Sequence, residues 1–251
     1  MEDLPGSASE SEGSAVVRVL SYNIRSLRDD RAALARVIRA CAPDLVLIQE
    51  APRFFRWQKA AVRLAEATGL VYVTGGATTT GPMILAGLRA HVERTEDSLM
   101  PRTPGLHRRG FATAVLRIGG ARLAAVSTHL SLSPAERYDQ AKLVLDRVRA
   151  MGEPHVVLGG DFNEPPDRPG FGRIAAVLRD AHAVKPWGGE VTNTRPPFQR
   201  IDAIFTTPSI EVLGCGVPQG LPGVSDADLH AATDHLPVLA ALRVPAADAS
   251  A

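Results

Sequence analysis

Cysteine is nearly absent. Cys41 and Cys215 are the two in 251 residues, which excludes a disulfide framework or a cysteine-rich metal site and suits two small core residues in a reducing compartment. Lysine is almost as scarce, occurring at Lys59, Lys142 and Lys185, so basic charge rests on arginine. Arginine is the better bidentate phosphate ligand, although a biased genomic composition explains the preference as readily. There is little net charge: +1, with a pI near 7.9. That is not the profile of a strongly basic nucleic-acid binder, and it leaves room only for a local basic rim. No apolar run is long enough to span a membrane. Met1 to Ser14 is polar, acidic and rich in Ser and Gly, without the basic start and apolar centre of a signal peptide. The expectation is a cytoplasmic protein with a disordered tail over residues 1–14 and a second tail over 246–251. No fixed-period repeat and no domain linker interrupt residues 15–245, which are expected to form a single catalytic domain. Neither a Walker-type loop nor a serine nucleophile elbow is present.

What the chain does have is a set of apolar strands that end in polar residues. Val156-Val157-Leu158 suits a strand buried on both faces. It runs into Gly159-Gly160, where backbone can approach a ligand closely, and then into Asp161-Phe162-Asn163. If the chain stays extended there, Asp161 and Asn163 share one side. The same pattern recurs. Val16 to Ile24 delivers Asn23, and Asp44 to Ile48 delivers Gln49-Glu50. Ala121 to Thr128, paired through the Gly119-Gly120 turn with Gly110 to Ile118, delivers His129. Asp202 lies within Arg200 to Thr206, and Asp234-His235 precede Leu236 to Val244. Helices are expected over Arg31 to Cys41, Phe55 to Thr68, Ala135 to Met151 and Phe171 to Leu178, and Gly220 to Ala232 reads as a loop. This order gives two sheets packed face to face with helices outside.

Each polar residue alone could be a turn former or a solvated charge. Asp202 is the exception, because a carboxylate in an apolar strand is costly unless paired, and His235 is the natural partner. Several carboxylates, two histidines, two carboxamides and no cysteine ligand suit Mg²⁺ or Mn²⁺ rather than zinc. A hard cation, a His–Asp pair and amide donors are what water attack on a phosphate requires.

Tyr22-Asn23-Ile24, Ile48-Gln49-Glu50, Thr128-His129-Leu130, Gly160-Asp161-Phe162-Asn163, Arg200-Ile201-Asp202 and Thr233-Asp234-His235-Leu236-Pro237 occur in that order. The series resembles the motifs of the endonuclease/exonuclease/phosphatase superfamily, which includes deoxyribonuclease-I-like enzymes. The resemblance implies a four-layered α/β/β/α sandwich, with two mostly antiparallel sheets packed face to face, and Mg²⁺-dependent phosphoester hydrolysis with Mn²⁺ as substitute. Glu50 would be the principal metal ligand, with Asn23 beside the metal and Asp234 assisting. Asp161 would orient or deprotonate the water, and Asn163 would hold the phosphate. Asp202 and His235 would polarise the phosphate, and His129 would stabilise the transition state or protonate the leaving oxygen. The strand ending Ile84-Leu85-Ala86-Gly87 departs from the pattern, lacking the Ser-Arg or Ser-Lys that many relatives carry. Thr233 stands where Ser is commoner.

Substrate contacts are expected from two loops, Leu99 to Arg109 with Arg108 and Arg109, and Lys185 to Phe198 with Trp187 and Arg195. Three readings remain at this point: a phosphodiesterase or phosphatase acting on a small molecule or lipid headgroup, a DNA endonuclease or repair nuclease, and a non-catalytic binding module. The phosphoester would be the main partner, nucleic acid is not favoured by the charge, and a monomer is expected.

Overall fold

The computed structural model describes residues 3–10 and 13–246. The chain forms two mixed β-sheets stacked in the middle of four layers. The first sheet holds β1 (Ala8–Ser9), β2 (Ala15–Asn23), β3 (Leu45–Gln49), β4 (Val71–Gly75), β5 (Met83–Ala86), β12 (Glu211–Gly216) and β13 (Val238–Val244). The second holds β6 (Ala90–Leu99), β7 (Gly110–Ile118), β8 (Ala121–His129), β9 (Val156–Asp161), β10 (Arg179–Asp180) and β11 (Asp202–Thr206). Each sheet is antiparallel except for one central parallel pair. In the first, β2 and β3 are joined by α1 (Arg31–Cys41); in the second, β8 and β9 are joined by α3 (Pro134–Ala150). The remaining helices are α2 (Trp57–Thr68), α4 (Pro169–Ala175), α5 (Ala181–Val184) and α6 (Asp226–Ala232).

Side-chain alternation along the strands creates the layers. Val17, Val19, Leu45 and Leu47 face inward and meet Ala112, Ala114, Leu116 and Ala125 of the other sheet. Leu20, Tyr22, Val46 and Ile48 face outward onto α1, α2 and α6. On the far side, Val126, Leu158 and Phe205 pack against Val144, Leu145 and Phe171 of α3 and α4. Both faces of β2 and β9 are buried, as their continuous apolar sequences require.

Small residues let the sheets approach. A Cβ on Gly159 would stand 2.7 Å from Leu47 Cδ1, and one on Gly160 would stand 2.8 Å from the Thr128 carbonyl oxygen. This corrects the expectation that the backbone at these glycines approaches a ligand closely. They lie inside β9 and serve packing between and within sheets. Both cysteines are free and buried, and burial pushes the Cys41 thiol up to about 12.

Three other expectations are corrected. Residues 3–10 are not a disordered tail: Leu4 is buried in the outer core, Ala8 pairs with Val16, and Arg243 Nε meets Glu10 at 3.1 Å. Residues 1–2 and 11–12 of that segment, and 247–251 of the second tail, lie outside the described residues. The Gly220 to Ala232 loop contains α6, whose first turn is capped by Ser225. The expected Phe171 to Leu178 helix is shifted to Pro169–Ala175, with Pro at its first position.

The crossover helix α1 starts at Asp30, whose Oδ1 accepts from Ala32 N at 2.8 Å and Ala33 N at 3.0 Å. Asp30→Ala is expected to cost about 1 kcal/mol of unfolding free energy. Equilibrium urea denaturation reads this directly, and an unchanged midpoint would contradict the cap.

Candidate active site

The two parallel pairs set the site. In the first sheet Asn23 stands opposite Gln49, so Asn23 and Glu50 emerge side by side. In the second, His129 stands opposite Asp161, and Asp202 on antiparallel β11 stands opposite Asp161 from the other side. Gln49 stitches the layers beneath: its Nε2 reaches Ser127 Oγ at 3.3 Å, and Ser127 Oγ donates to the Ile48 carbonyl at 2.7 Å. The polar ends of both sheets therefore open at one edge.

The chain leaves these strand ends in left-handed turns. Arg25, Ser26 and Leu27 have φ of 43°, 54° and 58°, Glu50 has 53° and Asn163 has 54°. Each such residue other than glycine costs roughly 1–2 kcal/mol. The cost is offset by bonds that fix the site: Ser26 N to the Glu50 carbonyl at 2.7 Å, Arg25 N to Asn23 Oδ1 at 3.1 Å, and Asn163 N to Asp161 Oδ1 at 2.9 Å. Behind Asn163, buried Glu164 accepts from Arg137 Nε of α3 at 3.1 Å.

Asp161 is the centre. Its Oδ2 accepts from Asn23 Nδ2 at 2.9 Å and lies 3.3 Å from His129 Nε2 and 3.8 Å from His235 Nε2. Asn23 Nδ2 also meets Glu50 Oε1 at 3.4 Å. Asp202 is held by its own N–H, which donates to Thr192 Oγ1 at 3.0 Å, and its Oδ2 lies 2.8 Å from His235 Nδ1. Burial alone would lower the His235 pKa. The carboxylates of Asp202 and Asp161 outweigh it and raise the pKa to about 10. The charged imidazolium is thereby favoured, with Nδ1 donating to Asp202 Oδ2, while Nε2 lies 3.5 Å from Asn23 Nδ2. His129 is the opposite case: burial dominates and pushes it down to about 3, helped by the positive charge of Arg109. Asn163 Nδ2 donates to the Leu130 carbonyl at 2.9 Å and lies 3.0 Å from His129 Nε2. His129 Nε2 thus lies between the Asn163 amide and the Asp161 carboxylate, and burial keeps the ring neutral.

Glu50, His129, Asp161, Asn163 and His235 floor a cavity of about 410 Å³ whose walls are Arg28, Arg53, Arg109, His107, Thr80 and Leu132. Arg109 is 9 % exposed, its Nε has no partner among the described residues, and burial lowers its pKa. A buried guanidinium at a cavity wall, with the Asp161 and Glu50 charges close by, suits an anion bound together with a cation.

The structure brings together Asn23, Glu50, His129, Asp161, Asn163, Asp202 and His235, with Arg109 on the wall. The other expected residues lie elsewhere. Asp234 is ion-paired with Arg25 Nε at 3.2 Å and does not line the cavity. Trp187 is buried against Leu4 and Gly214 in the outer core, so its ring is spent on packing. Arg108 and Arg195 are exposed outside the cavity wall. Arg28 and Arg53 were not anticipated. Their only sequence signal is position, five residues after Asn23 and three after Glu50.

The sequence profile of the Endonuclease/Exonuclease/phosphatase family matches residues 20–235, the span from β2 to His235. The chain belongs to this family. No curated protein matches it in sequence. A family protein from Bacteroides vulgatus shares the fold at a TM-score of 0.76 and 21% identity, covering 92% of this chain and 99% of that one. A mannosyl-6-phosphatase from Bacteroides thetaiotaomicron has a TM-score of 0.73 at 20% identity, covering 90% and 99%. A humanized D. rerio TDP2 gives 0.65 at 18%, covering 90% and 98%.

Endonuclease/exonuclease/phosphatase enzymes are generally dependent on a divalent metal, and the donor set fits one. Glu50 Oε2 has no protein partner among the described residues, and Glu50 and Asp161 meet the same Asn23 nitrogen. Hard oxygen donors at a cavity wall suit Mg²⁺ or Mn²⁺. Asp161, Asp202 and His235 also have donor atoms within 4.8 Å of one another. Within that trio His235 Nδ1 is engaged by Asp202 Oδ2 at 2.8 Å, which leaves Asp161 as the carboxylate that shares Asn23 with Glu50. Asn23 turns its nitrogen, not its oxygen, toward the carboxylates, which makes it a clamp on them.

Proposed function

We propose that the chain is a Mg²⁺-dependent phosphoester hydrolase, with Mn²⁺ as substitute, acting on a small molecule or lipid headgroup. The observation that carries the reading is the His235 ring, held by Asp202 at 2.8 Å, beside the Asp161 carboxylate at the floor of an arginine-walled cavity. Glu50, with Asp161, would hold the cation, which when bound supplies positive charge at the phosphoryl oxygens.

The remaining chemistry belongs to the chain's own groups. Asp161 Oδ2 accepts the proton of the attacking water, and Asn23 Nδ2 and Asn163 N keep both its oxygens aimed. His235 Nε2–H donates to the phosphoryl or leaving oxygen, with Asp202 stabilising its charge. Burial keeps His129 neutral, where it orients Asn163 and faces Asp161. Arg109, Arg53 and Arg28 neutralise the rest of the anion. A single catalytic domain over 15–245, monomeric and cytoplasmic, completes the proposal.

One panel tests it: the purified chain with Mg²⁺, Mn²⁺ or EDTA against a generic phosphodiester, a sugar phosphomonoester, plasmid DNA and an abasic-site duplex. The monoester arm follows the name of the mannosyl-6-phosphatase neighbour, and the DNA arms test the nuclease reading. Turnover of a small phosphoester that falls at least roughly tenfold in EDTA is expected. Full activity in EDTA contradicts the metal, turnover of DNA alone gives the nuclease, and no turnover of any substrate leaves a binding module.

A further inference from the structure

Beside the cavity mouth is a surface the reaction does not use. Arg53 lines the cavity, and the next two side chains, Phe54 and Phe55, are 78% and 87% exposed on the turn into α2. Arg53 and Arg56 lie over their rings at 5.9 and 4.8 Å. Along α2, Lys59 and Arg63 line a shallow groove of about 370 Å³ with Phe55, Arg56 and Arg31. Among the described residues, Arg56, Lys59 and Arg63 have no carboxylate partner within ion-pair distance. The nearest acids in sequence are Glu66, one turn further along α2, and Glu50 on the cavity floor, which meets Asn23; Asp29 and Asp30 at α1 are held by Arg25 and by the helix cap. Leu132, 70% exposed, also lines the cavity wall.

Adjacent phenylalanines this exposed, ringed by unpaired cations on a surface helix, match an anionic bilayer: rings reach the acyl boundary and cations meet lipid phosphates. A single-stranded nucleic acid fits less well, because guanidinium groups already cover the ring faces on which bases would stack, and Leu132 offers no stacking surface. We infer that Phe54, Phe55, Arg56, Lys59 and Arg63 dock the chain on an anionic lipid bilayer with the cavity mouth toward the membrane. Docking stands apart from the reaction; that the scissile phosphoester is carried by a lipid headgroup rests on the function proposed above.

Flotation with large unilamellar vesicles in EDTA reads docking without turnover. Phosphatidylcholine vesicles containing about 30% phosphatidylglycerol should bind the chain at least roughly tenfold better than pure phosphatidylcholine, and less well as salt rises. Lys59→Glu with Arg63→Glu should lower partition roughly 30-fold or more. Phe54→Ser with Phe55→Ser should lower it roughly tenfold. Both variants should keep the wild-type thermal midpoint and hydrolysis of a soluble phosphoester, so failure to dock and failure of catalysis are read separately. Equal binding to both vesicles, no binding at low salt, unchanged partition in both variants, or displacement from vesicles by a 20-nucleotide DNA strand would overturn the inference.

Discussion

Asp161→Asn is expected to lower kcat by about three orders of magnitude with the fold intact. The substitution preserves shape, and the amide oxygen can still accept from Asn163 N, so the turn after β9 survives. What it removes is the oxygen that accepts from Asn23 and faces both histidines. An amide nitrogen there would confront the Asn23 donor, could not take a proton from water, and would leave Glu50 as the remaining carboxylate for a cation. The loss should appear in kcat more than in KM, because substrate charge is met by the arginines on the cavity wall. Single-turnover rates with saturating Mg²⁺, checked against the thermal midpoint, give the answer. A kcat within tenfold of wild type would remove Asp161 from the chemistry.

The central carboxylate was legible because its strand announces itself. Val156 to Leu158 can only be buried, and a polar residue directly after such a strand must surface at a sheet end. The same logic located Asn23, Glu50 and His129, and their order along the chain made the family visible. What the sequence hid was anything decided by a long-range neighbour. Gly159 and Gly160 looked like ligand-approach residues, yet it is Leu47 and Thr128, distant in sequence, that demand them. Asp234 sits in the same motif as His235, but adjacent residues on extended chain point apart, and Arg25 is what Asp234 meets. Trp187 beside glycines in a long loop resembled a recognition aromatic, whereas the loop folds its ring under Leu4.

Short, weakly apolar elements were equally opaque. Helix α6 buries only Leu229 and Ala232, and its Ser, Asp, Gly and Pro flanks read as loop until the Ser225 cap is seen. Backbone strain left no trace either. Glutamate has no preference for the left-handed region, so φ of 53° at Glu50 follows only from the Ser26 and Gly81 backbones that grip the turn from both sides. Arg28 and Arg53 fail for a related reason: an arginine in a loop is ordinarily solvated, and only the closure of these turns brings the two to one cavity.

The Asp202–His235 pair supports the second large effect. Asp202 is 1% exposed and its Oδ1 has no partner among the described residues, so His235 is its main counter-charge. Removing one member leaves the other buried and unpaired, or returns His235 to a neutral ring that donates weakly. Asp202→Asn and His235→Ala should each lower kcat/KM by about two orders of magnitude or more, and the double variant should be little worse than either, because the two act as one unit. The sign with pH follows from the raised pKa. In the wild type the imidazolium persists through neutral pH, so its contribution to rate falls only as pH rises through about 10. Its contribution to stability is full below the ordinary value of 6.5 and is lost over the same rise. Asp202→Asn takes away the leading carboxylate that raises the pKa, so the alkaline limb of the pH–rate profile should move toward neutrality. Residual activity should then be greatest in acid, where the weakened imidazole still holds its second proton. Additive losses in the double variant, or an alkaline limb unmoved by Asp202→Asn, would show that His235 acts without its buried partner.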